Sequence, residues 1–254
     1  MLRALTALTA LVAAGAASAQ PLPRTPDGKP DLQGIWQAHS RAAYGLEYHD
    51  SKYLMPAGPS VVDGGEIPYL PAAREQQRKN FENRAAEDPL NRCYMPGVPR
   101  IMYLEHPFQV FQTRDHVAIT FEWSQVYRLI YSNGQPTLHE GIESWMGNSR
   151  GRWEGDVLVV ESKNVNGKAW LNEVGDIVSH MQTVVERFTP VDEDTIVYRA
   201  TVTDPIPYTR PWTIEVPMHR KADELLEVAC HEDNEDLEHL KHVRDEYRAG
   251  QQEN

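Results

Sequence analysis

In the stretch VACHEDN, Cys230, His231 and Glu232 stand side by side, three residue types that ligate metals or move protons. If LLEVACHE is a strand, its side chains alternate faces, with Cys230 and Glu232 on one side and His231 on the other. A metal site needs three or four converging ligands. The triplet is therefore read as separate groups, and His231 is kept as a candidate base. Further on, His239 and His242 stand three apart, with Glu235 and Glu246 nearby. A solvated acidic helix face explains them better than a metal site. The sequence has no H-E-x-x-H, P-loop, dinucleotide fingerprint or G-x-S-x-G elbow, so neither metal nor organic cofactor is expected.

Two other clusters interleave arginine with aromatic rings. NSRGRWEGD carries Arg150 and Trp153, and DPIPYTRPW carries Tyr208, Arg210 and Trp212. A guanidinium stacked on Trp or Tyr makes a platform for a carboxylate or an aromatic ligand, and the same pairing also clips loops together. Both readings stand at this stage. Tyr127 joins the candidate ligand contacts, on the alternate set Gln125, Tyr127 and Leu129, opposite Val126, Arg128 and Ile130. Alternation alone does not say which set faces inward. Glu122, Arg128, Glu186 and Arg187 are further ionisable groups among apolar neighbours. His116 and His180 complete the candidate bases.

A mainly β chain must position these groups. FQVFQT, HVAITFEW, QVYRLIYS, DVLVVES, TVVERF, TIVYRATV, WTIEVPM and LLEVAC are β-rich runs separated by turn signals. Short links without helices predict an antiparallel meander. With a first strand around residues 35–37 there are enough strands to close a barrel and abolish its edges. The expected fold is a calycin- or lipocalin-like up-and-down barrel, with a two-sheet sandwich as the alternative. Gly34-Ile35-Trp36 matches the G-x-W triplet that opens lipocalin-type barrels. An extended leader over 20–31 precedes a single barrel domain over 32–254. That domain carries an irregular and helical insertion at about 44–100, with a Pro-started polar helix over 71–88, and an amphipathic C-terminal helix over 234–248. The arginine-bearing segments are placed in connections that meet at the barrel rim.

The opening MLRALTALTALVAAGAASAQ has a basic start, a short apolar run and an A-x-A site, and reads as a signal peptide over 1–19. The mature chain is expected in the periplasm or outside the cell. No later stretch is apolar enough to span a bilayer. A net charge of -12 argues against nucleic acid as a partner. The two cysteines, Cys93 and Cys230, are read as a disulfide in that oxidising compartment, over the alternative of buried thiols.

TPDGKPDLQGIW, DPLNRCYMPGVPR, SWMGNSRGRWEGDVLVVES, VVERF, DPIPYTRPWT and CHE, in this order, resemble a large family of exported bacterial proteins that are mostly uncharacterised. The resemblance implies a similar barrel and export, and carries no reaction. Relatives of that pattern have His where Gln125 and Thr183 stand here, and Gly-Asn-Tyr where this chain has Asp233-Asn234-Glu235. His116 and His180 are candidate substitutes for those histidines. The functional expectation is a barrel that binds a small apolar or aromatic molecule. It either transforms that molecule by cofactor-independent acid–base chemistry of the lyase or isomerase type, or carries it without turnover. In the first case His116, His180 or His231 is the base, and Arg150 or Arg210 steadies developing negative charge. A metal-dependent enzyme built on the histidines is the third possibility.

Overall fold

The computed structural model describes residues 22–52, 55–232 and, in the tail, 234–235, 238–239, 241–242, 245–246 and 249. The segment read as a signal peptide lies outside them. Nine strands close into one barrel in chain order. They are β1 Gly34–Ala38, β2 Phe108–Gln112, β3 His116–Phe121, β4 Tyr127–Tyr131, β5 Asn148–Glu154, β6 Val157–Lys163, β7 Thr183–Pro190, β8 Thr195–Thr203 and β9 Trp212–Lys221. The helix α1, Pro71–Glu87, interrupts the long connection from β1 to β2.

Period-two burial shows why these runs form a wall. In β8 Ile196, Tyr198, Ala200 and Val202 are buried, and in β9 Trp212, Ile214, Val216 and Met218 are buried, with less buried neighbours between them. The same parity puts Val126, Arg128 and Ile130 inside, while Tyr127 is 77% exposed.

Three expectations are corrected. The meander is not wholly antiparallel, because β4 and β5 pair in parallel, Ile130 with Ser149 and Tyr131 with Arg150. The chain therefore travels back along the barrel through residues 132–147 before starting β5. Secondly, NSRGRWE is a strand rather than a loop, antiparallel to β6. Thirdly, LLEVAC is not a barrel strand. β9 already pairs with β1, so the wall has no free edge for it. Only Val228 makes a β-bridge, with Trp123. The expected C-terminal helix falls partly on residues outside the described set; helical backbone is described at Glu238, His239, Lys241, His242, Asp245, Glu246 and Ala249.

The registers define two ends. At one lie the 155–156 turn between β5 and β6, the 191–194 turn between β7 and β8, and the close of β9. Trp36 is buried near this end, its indole Nε1 donating to Leu32 O at 2.9 Å. The Arg220 guanidinium stacks 4.3 Å above the Trp36 ring and donates to Gln33 O and Glu193 O, both at 2.7 Å. The leader is fastened here too, through Arg24 on Asp156 and Lys29 over Trp153.

The other end receives the insertion at 39–107, the 164–182 connection and the 204–211 connection. Val62 bridges to Ile214, and Asp63 N and Glu215 N donate across the same seam, which extends the wall beyond β1. The helix α1 is polar almost all round and is held by polar contacts. Gln77 Nε2 donates to Val174 O at 2.7 Å and Asn80 Nδ2 to Gly175 O at 2.9 Å. Gly175 has φ +81, and a Cβ there would lie 2.3 Å from Asn80 Cβ, so the approach of helix to turn requires glycine. Cys93 and Cys230 form a disulfide that joins the insertion to the segment after β9.

Candidate functional site at the insertion end

Strand order decides which candidate residues meet. From the β5–β6 turn to the β8–β9 connection the chain crosses the barrel three times, so that turn, with Trp153 beside it, lies at the opposite end from Tyr208 and Arg210, while Arg150 lies within the wall, three residues into β5. The two arginine-bearing clusters do not share an opening, and the expectation of a common rim is corrected. Arg150 stacks 4.7 Å from the Tyr131 ring and donates to Gln135 O and Pro136 O, which pins the 132–147 connection to the outside of the wall. Trp153 lies under Lys29 at the Trp36 end. His116 packs edge-on against Tyr131 on the outer face of β3. His180 is exposed in the 164–182 connection, and His231 is exposed beside the disulfide. The three histidines do not converge. Gln125 is exposed and donates to Glu227, and Thr183 is on the outer parity of β7.

Tyr208 and Trp212 do come together at the insertion end, ring centroids 5.3 Å apart, and Tyr69 packs against Tyr208 with its ring tilted and centroids 5.0 Å apart. Arg210 stands exposed on the same rim. Behind the rings lies Asp176. Its Oδ1 accepts from Tyr69 OH and its Oδ2 from Asn172 Nδ2, both at 2.7 Å. Tyr208 OH donates to Ile177 O at 2.6 Å. Burial, opposed by the hydrogen bonds from Tyr69 and Asn172, pushes the Asp176 carboxyl up to about 6. Burial also holds Tyr69 and Tyr208 well above the ordinary phenol range. A carboxyl poised near neutrality against a phenol is an acid–base pair in chemical terms.

Glu173, three residues earlier, is raised to about 7, chiefly by burial, with Arg100 lowering it and Asp88 raising it. The folded state thus keeps a proton that the unfolded chain releases at lower pH. Stability contributed by the protonated carboxyl is complete below the unfolded value and is lost as pH rises through about 7. Glu173→Gln is expected to leave urea stability unchanged near pH 4. Near pH 8 it is expected to raise stability by roughly 1–3 kcal/mol. An equal effect at both pH values contradicts the assignment.

Inside the wall, deeper than the ring cluster, Arg128 and Glu186 form a buried ion pair, 3% and 0% exposed. Arg128 Nη1 donates to Glu186 Oε1 at 2.8 Å, Nε to Ser149 Oγ at 3.1 Å and Nη2 to Ser162 Oγ at 2.8 Å. Tyr198 OH donates to Glu186 Oε1 at 2.9 Å. Every guanidinium nitrogen has a protein partner.

Elsewhere at this end the pairing is incomplete. Among the described residues, buried side-chain atoms without a hydrogen-bond partner are Trp212 Nε1, Gln182 Oε1, His49 Nε2, Arg100 Nε and Ser124 Oγ. All five belong to the insertion, the 122–126 turn or the strand ends beside them. None comes from the Trp36 end. Trp212 and Gln182 are 3% and 2% exposed. Trp212 shares the parity of Ile214 and Val216, and Gln182 precedes β7 on the parity of Val184 and Glu186, so both face the interior. Gln182 Nε2 is held by Val98 O at 3.0 Å, which leaves its carbonyl free.

Sequence reasoning singled out Tyr208 and Trp212 and passed over Tyr69, Asp176 and Gln182, which the fold places at the same end. Gln182 carried a usable signal, because it continues the inward alternation of QTVVERF. Tyr69 and Asp176 lie in irregular segments with no period to mark them. No protein-family model matches the chain, and no curated protein matches it. Among the described residues, no cluster of His, Cys, Asp or Glu is arranged to hold a metal ion. No described helix is long and apolar enough to cross a membrane.

Proposed function

We propose that this chain is an exported barrel that binds a small, largely apolar molecule at the end that carries the insertion. The observation behind this reading is the asymmetry of polar satisfaction between the two ends. Buried polar groups are ordinarily paired, and those that are not call for a functional account. Here they gather at the end where Tyr69, Tyr208 and Trp212 supply aromatic surface. The opposite end is closed by Trp36 and Arg220. Barrel mouths that combine apolar surface with a few convergent polar groups are a favoured place for ligands. The calycin-like assignment is supported by Trp36 of the G-x-W triplet under its arginine lid. Export, to the periplasm or the outside, is supported by the disulfide and by the apolar N-terminal segment with its A-x-A site. The motif resemblance to exported bacterial proteins points the same way.

A second reading, turnover by acid–base chemistry of the lyase or isomerase type, is favoured by Asp176, whose carboxyl is raised to about 6 beside Tyr69. In that reading Asp176 is a better-placed base than His116, His180 or His231, because it lies within the ring cluster.

Calorimetric titration of the full chain with cinnamyl alcohol tests the binding site. Trp212→Phe removes the indole N–H and keeps an aromatic ring, and is expected to weaken binding about tenfold. Trp153→Phe, at the other end, is expected to leave it unchanged. Loss of binding on Trp153→Phe but not on Trp212→Phe places the ligand elsewhere.

A further inference from the structure

Resting on that binding reading, we infer that the ligand is an uncharged molecule presenting a group that both accepts and donates a hydrogen bond, such as a hydroxyl or a carboxamide. Two of the five unpartnered atoms at this end are one donor, Trp212 Nε1, and one acceptor, Gln182 Oε1. Both residues face the interior two strands apart, with Val184, Val202 and Trp212 in one register row and Gln182 two residues beyond Val184. An indole N–H only donates and an amide carbonyl only accepts. A carboxylate satisfies the indole but leaves the carbonyl unmet, and an ammonium does the reverse. A hydroxyl or a primary amide satisfies both. A buried group left unpaired on binding costs far more than a missing apolar contact, and such mismatches separate close analogues.

The charges near the mouth disfavour anions independently. Arg128 spends its guanidinium on Glu186, Ser149 and Ser162. Arg100, also buried, gives both Nη nitrogens to Asp88 at 2.8 and 2.7 Å, which balances its charge and leaves only Nε without a partner. Arg74 is paired with Glu47. Asp176 and Asp204 are buried carboxyls at the same end, Asp204 accepting from Ser179 N at 2.7 Å. The buried groups therefore sum to neutral or negative. Arg210 of the rim is exposed, where solvent screens its charge.

The test is calorimetric titration of the full chain near neutral pH with a matched set, cinnamyl alcohol, cinnamamide, cinnamate and cinnamylamine. The alcohol and the amide are expected to bind at least tenfold more tightly than either ion. Gln182→Leu is expected to weaken the alcohol and to narrow its advantage over cinnamate, since the unmet carbonyl is gone. Gln182→Met serves the same purpose if the leucine variant does not fold. Cinnamate binding as tightly as the alcohol overturns the inference but leaves the site in place. Loss of that binding on Arg210→Gln would identify the rim arginine as an anion grip. Failure of all four compounds to bind overturns both the inference and the binding reading.

Discussion

Glu186→Gln is expected to destabilise the protein by roughly 3–5 kcal/mol, the range seen when one partner of a buried ion pair is removed. The variant leaves the Arg128 guanidinium inside the barrel with hydroxyl and amide partners but no counter-charge. Water cannot easily compensate, since Arg128 and Glu186 are both buried in the wall's interior among Ile130, Val160 and Phe188. The size of this loss measures the uncompensated charge, and not the worth of the pair itself. Replacing the pair and its satellite together, as Arg128→Met, Glu186→Leu and Tyr198→Phe, should therefore cost much less than the single change. Urea unfolding of the two variants at one pH makes the comparison. A single-variant loss below about 1 kcal/mol would mean that the charge is solvated and that the barrel interior is wetter than the burial of Arg128 and Glu186 implies.

The second large effect concerns Cys93 and Cys230, which are 137 residues apart in sequence. Cross-linking so long a loop restricts the unfolded chain, and the chain-entropy account places the contribution on the order of 5 kcal/mol. The double variant Cys93→Ser, Cys230→Ser is expected to lose roughly 2–5 kcal/mol in urea, and reduction of the parent protein to reproduce that loss. The bond also fixes a segment with few other ties to the wall, chiefly the Val228 bridge to Trp123 and the hydrogen bonds that Glu122 and Gln125 make to residues 226–227. An unchanged unfolding midpoint under reducing conditions would contradict this.

Most of the barrel was legible because its inner parity is apolar. Val117, Ile119 and Phe121 alternate with more exposed residues, as do Ile196, Tyr198, Ala200 and Val202. β5 was missed for a physical reason. Its inward residues are Ser149, Gly151 and Trp153, two of them small, so SRGRWE carries no apolar stripe. The small residues make room for the Arg128 side chain and for Ile130, whose Cγ2 would lie 2.8 Å from a Cβ at Gly151. LLEVAC failed in the opposite sense. Its composition suits a strand, but strand formation needs a neighbour, and the wall was already closed by β1 on β9.

The candidate site was less legible. Arg128 and Glu186 were visible as charges among apolar residues, and their shared inward parity could have paired them across the barrel. The placement of Trp153 away from Tyr208 and Trp212 followed from counting strand reversals, once β5 is recognised as a strand. Asp176 had no such route. Its burial depends on Tyr69, 107 residues before it in the insertion, and on Tyr208 from the β8–β9 connection, and only tertiary structure brings them together.

The proposed binding site is tested most directly by the indole N–H resonances of the six tryptophans during titration with cinnamyl alcohol. The account predicts a large, saturable shift of the Trp212 Nε1–H signal, identified by its absence in Trp212→Phe. The Trp36 signal, held by Leu32 O at the closed end, is expected to stay in place. A shift of Trp36 with Trp212 unmoved would contradict it.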